Sequence, residues 1–245
     1  MNRILIVLLF ILGSFINSSF GQEASSIIAK MDALLFAAKD MQGEMKMTLT
    51  SKGGKGKIKE SLLYQKGANK RLTVYTKPES QAGIATLSLS DNEMWLYMPA
   101  LGNPKKISIL TKSQAFNNTD FSFEDMSRSP YGDRFTSKLI KTSDNQFFLE
   151  LKPNYEKSSY SKIVITINKM NHYPEKIEYY DQRGELFKVA NYQYTKQGKY
   201  WFAKNVLMSN LKKEHSTQIE IFNVKFDQGL KDDLFKVENL RPAKK

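Results

Sequence analysis

Apolar and polar residues alternate with a period of two along most of this chain. Met45, Met47 and Leu49 alternate with polar neighbours, and comparable spans at 58–66, 69–76, 84–90, 93–98, 105–110, 135–142, 146–152, 161–168, 175–181, 185–194, 200–209 and 217–226 predict strands. Turn signals separate many of them: Pro78, Asp91-Asn92, Gly102-Asn103-Pro104, Ser143-Asp144-Asn145, Asp181-Gln182-Arg183-Gly184 and Gln197-Gly198. One early segment keeps a different period. Ile27, Ile28, Met31, Leu34, Leu35, Ala38 and Met41 recur at helical spacing, which predicts an amphipathic helix over 24–41 with Ser25 or Ser26 as its cap. Many short strands and one helix predict a mainly β protein, a large antiparallel sheet or barrel whose concave side takes the helix stripe.

Some strands depart from alternation. In DNEMWLYMPALGNPKK (91–106), Met94, Trp95, Leu96, Tyr97 and Met98 form an unbroken apolar run that stops at Pro99. Such a strand is either buried on both faces or has one face turned to something other than water. IVITI (163–167) is similar. In QIEIFNVKF (218–226) the apolar parity changes after Ile221, as a bulge would require. YWF (200–202) is another dense patch. Methionine and aromatic residues suit either an ordinary core or an adaptable apolar surface.

The segment NNTDFSFEDM (117–126) predicts a short helix capped by Asp120 or Ser122. Glu124 and Asp125 would stand in its first turns, where the helix dipole favours negative charge. With Phe121, Phe123 and Met126 on the inner side and the acids outside, it would form a lid over an apolar opening.

The N-terminus belongs to a different class of sequence. Arg3, the apolar run Ile4–Leu12 and the small residues Ser19 and Gly21 form a signal-peptide pattern over 1–21, with export to the periplasm as its consequence. The run is shorter than the roughly 20 residues a membrane span needs. Residues 22–245 are then expected to form a single domain.

Chemistry narrows the picture further. The chain has no cysteine, which excludes disulfides, thiolate metal sites and cysteine nucleophiles. His172 and His215 are the two histidines, without metal-ligand spacing, and both read as loop or edge residues in solvent. GGKGK (53–57) lacks the spacing of a phosphate loop. Asp120, Glu124 and Asp125 form the best carboxylate cluster, with capping rather than acid–base work as its expected role. The net charge is +12. In an exported chain nucleic acid is not the expected partner. The excess Lys reads either as affinity for anionic lipid or acidic protein surfaces, or as protection of an edge-rich monomer. Lys52, Lys55, Lys57 and Lys59 carry the same pair of readings, a peripheral membrane contact or a solvated hairpin tip.

MWLYMPALGNPKKIS, FNNTDFSFEDM, YPEKIEYYDQRGELFK and LKDDLFKVENL, in this order, resemble the outer-membrane lipoprotein-sorting proteins, the LolA-like family, and most closely its uncharacterised branch. That branch carries a Trp-x-Tyr-x-Pro strand, matched here by Trp95, Tyr97 and Pro99. It also carries a Gly-Ser-Asp-Phe-x-x-x-Asp segment, matched by Asp120, Phe121 and Asp125. Asn118 and Thr119 stand where the family has Gly and Ser, and Asn tolerates the left-handed backbone such a turn needs.

The resemblance implies a half-open antiparallel β-barrel closed by an N-terminal helix and short lid helices, holding acyl chains of lipoproteins or other lipids. It implies no cofactor and no catalytic residue, hence a carrier rather than an enzyme, working with inner- and outer-membrane transport components; no metal is expected either, since cysteine is absent and histidine scarce. A lipid-sensing regulatory module acting on an envelope membrane protein is the alternative. Trp95 and Tyr97 share a parity, and they are expected to line the cavity, with Phe121, Phe123 and Met126 near its mouth. Pro99, Asp120, Asp125, Asp181 and Gly184 are expected to be structural.

Overall fold

The computed structural model describes residues 21–240 except 53, 55, 91–92, 108–113, 127–128 and 156–157. The predicted signal peptide lies outside the described residues up to position 20. Thirteen antiparallel strands among the described residues make one sheet, in the order β6-β5-β4-β3-β2-β1-β13-β12-β11-β10-β9-β8-β7. The chain enters at the middle of the sheet with β1 (Asp40–Ser51) and meanders outward through β2 (Lys57–Lys66), β3 (Lys70–Lys77), β4 (Ala85–Ser90) and β5 (Glu93–Tyr97) to the edge strand β6 (Lys105–Lys106). It then crosses to the opposite edge. From there β7 (Phe135–Thr142), β8 (Gln146–Pro153), β9 (Lys162–Asn168), β10 (Pro174–Tyr180), β11 (Leu186–Gln197), β12 (Tyr200–Asn210) and β13 (His215–Phe226) return to pair with β1. The edges β6 and β7 do not pair with each other, so the sheet is a half-open barrel. Edge β6 is two lysines long, a short charged end that discourages pairing with another chain.

Helix α1 (residues 21–35) and the described parts of the crossing segment, 107, 114–126 and 129–134, fill the concave side. Ile27, Ile28 and Met31 of α1 are buried in one cluster with Met45, Met47, Leu149, Ile165, Ile177 and Met208 from the inner face of the sheet. Phe116, Phe121, Phe123 and Met126 of the crossing segment belong to the same cluster.

The helix ends earlier than its apolar period predicts, at residue 35 rather than 41. Distant chain claims the backbone beyond it. Lys39 N donates to Asp227 Oδ1 at 2.9 Å, and the buried Asp40 carboxylate accepts from the backbone N–H groups of Gln228, Gly229 and Leu230 at 2.7–3.0 Å. Met41 is thereby a strand residue, registered between Gln65 and Phe226. Ser25 is not the cap. Its hydroxyl donates to the Gly21 carbonyl one turn back.

The convex side has its own core. Residues 229–240 run across the outer face of β3–β5 as short 3-10 turns, and Phe235 and Leu240 pack there with Leu72, Leu87 and Tyr97. The parity change in 218–226 is a register shift of the β1–β13 pair, with Asn223 at φ 51°.

Candidate functional site

A cavity of about 240 Å³ lies within the concave face. The end of α1 (Leu35, Phe36), the inner faces of β11–β13 (Tyr192, Val206, Ile221) and the crossing segment wall it in. Trp201, Phe202 and Phe226 line it from the strand ends, near the turn residue Gly67. Trp201 is exposed there. Burial raises the phenols of Tyr192 and Tyr194 well above their ordinary value, so both walls are neutral at any physiological pH.

The crossing segment holds helices α2 (Phe123–Met126) and α3 (Tyr131–Arg134). Ser122 caps α2 in a reciprocal box: Asp125 N donates to Ser122 Oγ at 3.1 Å and Ser122 N donates to Asp125 Oδ2 at 2.7 Å. The predicted acidic outer face is absent. Glu124 and Asp125 point inward, because each finds partners on the sheet side that solvent would otherwise supply. Asp125 accepts from Lys188 Nζ at 2.7 Å and from the Tyr160 hydroxyl at 2.6 Å, and the Asp125–Lys188 pair is almost fully buried. Glu124 accepts from Ser158 Oγ, from Ser159 N and Oγ, and from the Tyr155 hydroxyl. That carboxylate, after burial, holds the Tyr155 phenol in its neutral form.

Asp120 is held the same way, by Thr217 Oγ1 at 2.8 Å and His215 Nδ1 at 2.6 Å. His215 is thus an anchor for the crossing segment rather than a solvent residue. Asn117 and Asn118 both adopt left-handed backbone, at φ 48° and 59°, which Asn tolerates. All three carboxylates are committed to holding the segment down. At the far side, the Asp32 carboxylate of α1 accepts from Tyr131 N and Gly132 N at 2.9 Å, fixing the start of α3. Burial raises the Asp32 pKa, against the pull of those two N–H groups and Arg134. Arg134 in turn lies over the rings of Tyr131 and Phe135.

The sequence-predicted site residues separate into groups. Phe121 and Met126 line the cavity, and Asp125 touches it. Phe123 sits behind them, edge-on to Phe116 at 5.4 Å. Trp95 and Tyr97 require a correction. They share a parity as expected, but it is the outer one: both pack in the convex core beneath residues 229–240, whereas Met94 and Leu96 face inward. The run is apolar on both faces because it is covered on both faces, by the crossing segment inside and the C-terminal turns outside.

Pro99 ends β5 and stands 3.2 Å from where a Cβ on Gly83 would lie. Asp181 and Gly184 shape the β10–β11 hairpin. The Asp181 carboxylate accepts from Arg183 N and Glu185 N, and Gly184 takes φ 80°. The basic run also divides. Lys57 is exposed, but Lys59 is buried and its Nζ donates to the Asn117 carbonyl at 2.5 Å; Lys55 lies outside the described residues. Sequence reasoning missed most of the cavity wall. For the wall outside the 24–41 stripe and the crossing segment, the YWF patch and the shifted parity of 218–226 are the signals in the sequence, since Tyr192, Tyr194 and Arg71 stand at ordinary alternating positions. Among the described residues, no three His, Cys, Asp or Glu side chains are grouped so as to hold a metal ion, and no helix is long and apolar enough to cross a membrane.

A family model with the description "Uncharacterized protein" matches residues 67–242. No curated protein sequence matches. Among solved structures, an outer membrane lipoprotein-sorting protein domain from Vibrio parahaemolyticus is 27% identical, with a TM-score of 0.84 over 90% of this chain and 99% of its own. A DUF1329 family protein from Desulfovibrio piger is 23% identical, with a TM-score of 0.84 over 91% and 99%. A LolA superfamily protein from Nitrosomonas europaea is 21% identical, with a TM-score of 0.74 over 87% and 97%. The last two establish shared fold.

Proposed function

Since this chain belongs to the family of uncharacterized proteins whose model spans residues 67–242, and carries the fold of the LolA-like lipoprotein-sorting proteins, we propose that it is a periplasmic carrier. In this reading it shelters the acyl chains of lipoproteins or lipids and moves them between membranes. The observation that carries the reading is the 240 Å³ cavity walled by Leu35, Phe36, Phe121, Met126 and Val206 inside the concave face. Each methylene that leaves water for such a wall gains about 0.8 kcal/mol. The crossing segment is stapled to the sheet by Asp120, Glu124 and Asp125, so chains would enter past Trp201 and Phe226 rather than by lifting α2. Release then requires a receiving partner that competes for the chain.

Mass spectrometry of organic extracts, from protein purified out of its native envelope, tests the reading. Acylated lipid or lipopeptide in stoichiometric amount is the expected result. Extracts without acyl species, together with failure to bind any acyl probe, would overturn it.

A further inference from the structure

The inner wall of the sheet is chemically divided. On β8–β10 it is aliphatic, with Leu149, Leu151, Ile163, Ile165 and Ile177 fully buried or nearly so. On β2–β4 the same face carries Ser61, Gln65, Arg71, Thr73, Thr86 and Ser88. Arg71 of β3 lies in register between Gln65 of β2 and Ser88 of β4, and its side chain lines the cavity. Its Nε is fully covered and has no hydrogen-bond partner, and no carboxylate among the described residues pairs with it. Thr86 Oγ1 is also buried without a partner. It borders a small void, shared with Arg71, Met94 and Met126.

The other cations of this interior are each held by groups of this chain, Arg134 over the rings of Tyr131 and Phe135. Lys188 has Asp125 and Tyr160, and Lys59 has the Asn117 carbonyl. A half-buried guanidinium whose Nε is covered and unbonded is costly to folding, and it keeps its charge at neutral pH even though burial lowers its pKa to about 10. Folding therefore leaves at Arg71 a strong, planar donor, not stacked on rings as Arg134 is, facing the same space that the acyl chain would occupy.

We propose that Arg71 is the anion-recognition residue of this cavity: it receives the oxyanion of an amphiphile whose chain lies against Tyr192, Val206 and Ile221. The inference rests on the acyl-binding reading and adds headgroup selectivity to it. A free carboxylate and a phosphate present the same oxyanion chemistry to the guanidinium.

The test uses the mature chain and three ligands of equal chain length: palmitate, 1-palmitoyl lysophosphatidic acid and the neutral hexadecanol. Each is titrated by displacement of a neutral fluorescent acyl probe. In the unaltered protein the better anion binds at least about tenfold tighter than hexadecanol, as expected for a charge-assisted hydrogen bond in a covered site. Whichever anion binds tighter identifies carboxylate or phosphate as the source. Arg71→Met brings that anion down to the affinity of hexadecanol and leaves hexadecanol unchanged. Arg71→Lys keeps part of the preference. Arg71→Met also melts at the same or a higher temperature, because it removes a half-buried charge that no carboxylate compensates. Equal affinities for all three ligands in the unaltered protein would overturn the inference, as would an anion preference that survives Arg71→Met; in both cases acyl binding itself still stands. Failure of every ligand, hexadecanol included, would overturn the carrier reading and this inference with it.

Discussion

On the concave side of β5, Met94 and Leu96 meet Phe116, Phe123 and Met126 of the crossing segment. On the convex side Trp95 and Tyr97 meet Leu72, Leu87, Phe235 and Leu240. Both sides are apolar, and they differ in what they leave unfilled. The convex core is closed over by residues 229–240, which Asp40 holds through three backbone N–H groups. The concave side keeps a cavity of about 240 Å³, the Arg71 guanidinium with an unbonded Nε, and the buried Asp125–Lys188 pair. Two apolar faces on one strand are thus no sign that both bind ligand. Structural burial accounts for the outer one, and the unfilled space with its unsatisfied donor marks the inner one.

The largest expected effect falls on the concave side. Lys188→Met leaves Asp125 charged and buried against the sheet. It should cost about 3–5 kcal/mol in urea unfolding, as breaking a buried pair does. Most of that loss should return when Asp125→Leu is added, because two apolar residues then replace two charges. If the double variant is as unstable as the single one, the pair is not what holds the crossing segment.

Next comes the convex side. Tyr97→Ala should cost about 3 kcal/mol by leaving a void beneath the C-terminal turns. Acyl-probe affinity of the folded fraction should not change. Weakened probe binding with little loss of stability would return Trp95 and Tyr97 to the cavity.

The smallest effect concerns a site in neither core. The Asp181 pKa is lowered from 3.8 to about 2, chiefly by Lys212 and then by the Glu185 N–H. A depressed carboxylate stabilises the fold above its unfolded pKa and loses that contribution as pH falls toward the folded value. Asp181→Asn should therefore be less stable than the parent at pH 6, and the difference should shrink between pH 4 and 2. A difference that stays constant through that window would remove Asp181 from the acid response.

Much of the sheet was legible because strand alternation is local. Eleven of the twelve spans read from the pattern of apolar residues correspond to β2–β5 and β7–β13, the span 105–110 opens with β6 (Lys105–Lys106) and lies outside the described residues from 108, and even the β13 register shift showed as a change of parity. What failed depended on partners far away in sequence. The stop of α1 at 35 is set by Asp40 and Asp227, whose partners lie 188 or more residues apart. His215 read as a solvent residue because Asp120, its partner, is 95 positions distant. The facing of Trp95 was undecidable from parity, since both parities of the run are apolar and parity carries no label for inside. Arg71 in KRLTVYTK looked like any outward polar residue of an amphipathic strand. Only the sheet's curvature shows that its parity, with Thr73 and Tyr75, is the inner one.

The chain contains two tryptophans, one in each region, and they permit a direct test of the claim that the acyl site is the concave cavity. Single-tryptophan proteins made by Trp95→Phe and by Trp201→Phe can be titrated with a bromine-labelled fatty acid, which quenches indole fluorescence on contact. Quenching of Trp201 in the Trp95→Phe protein, with Trp95 unaffected in the Trp201→Phe protein, is the predicted result. Quenching of Trp95 while Trp201 stays bright would put the ligand on the convex side and contradict the account.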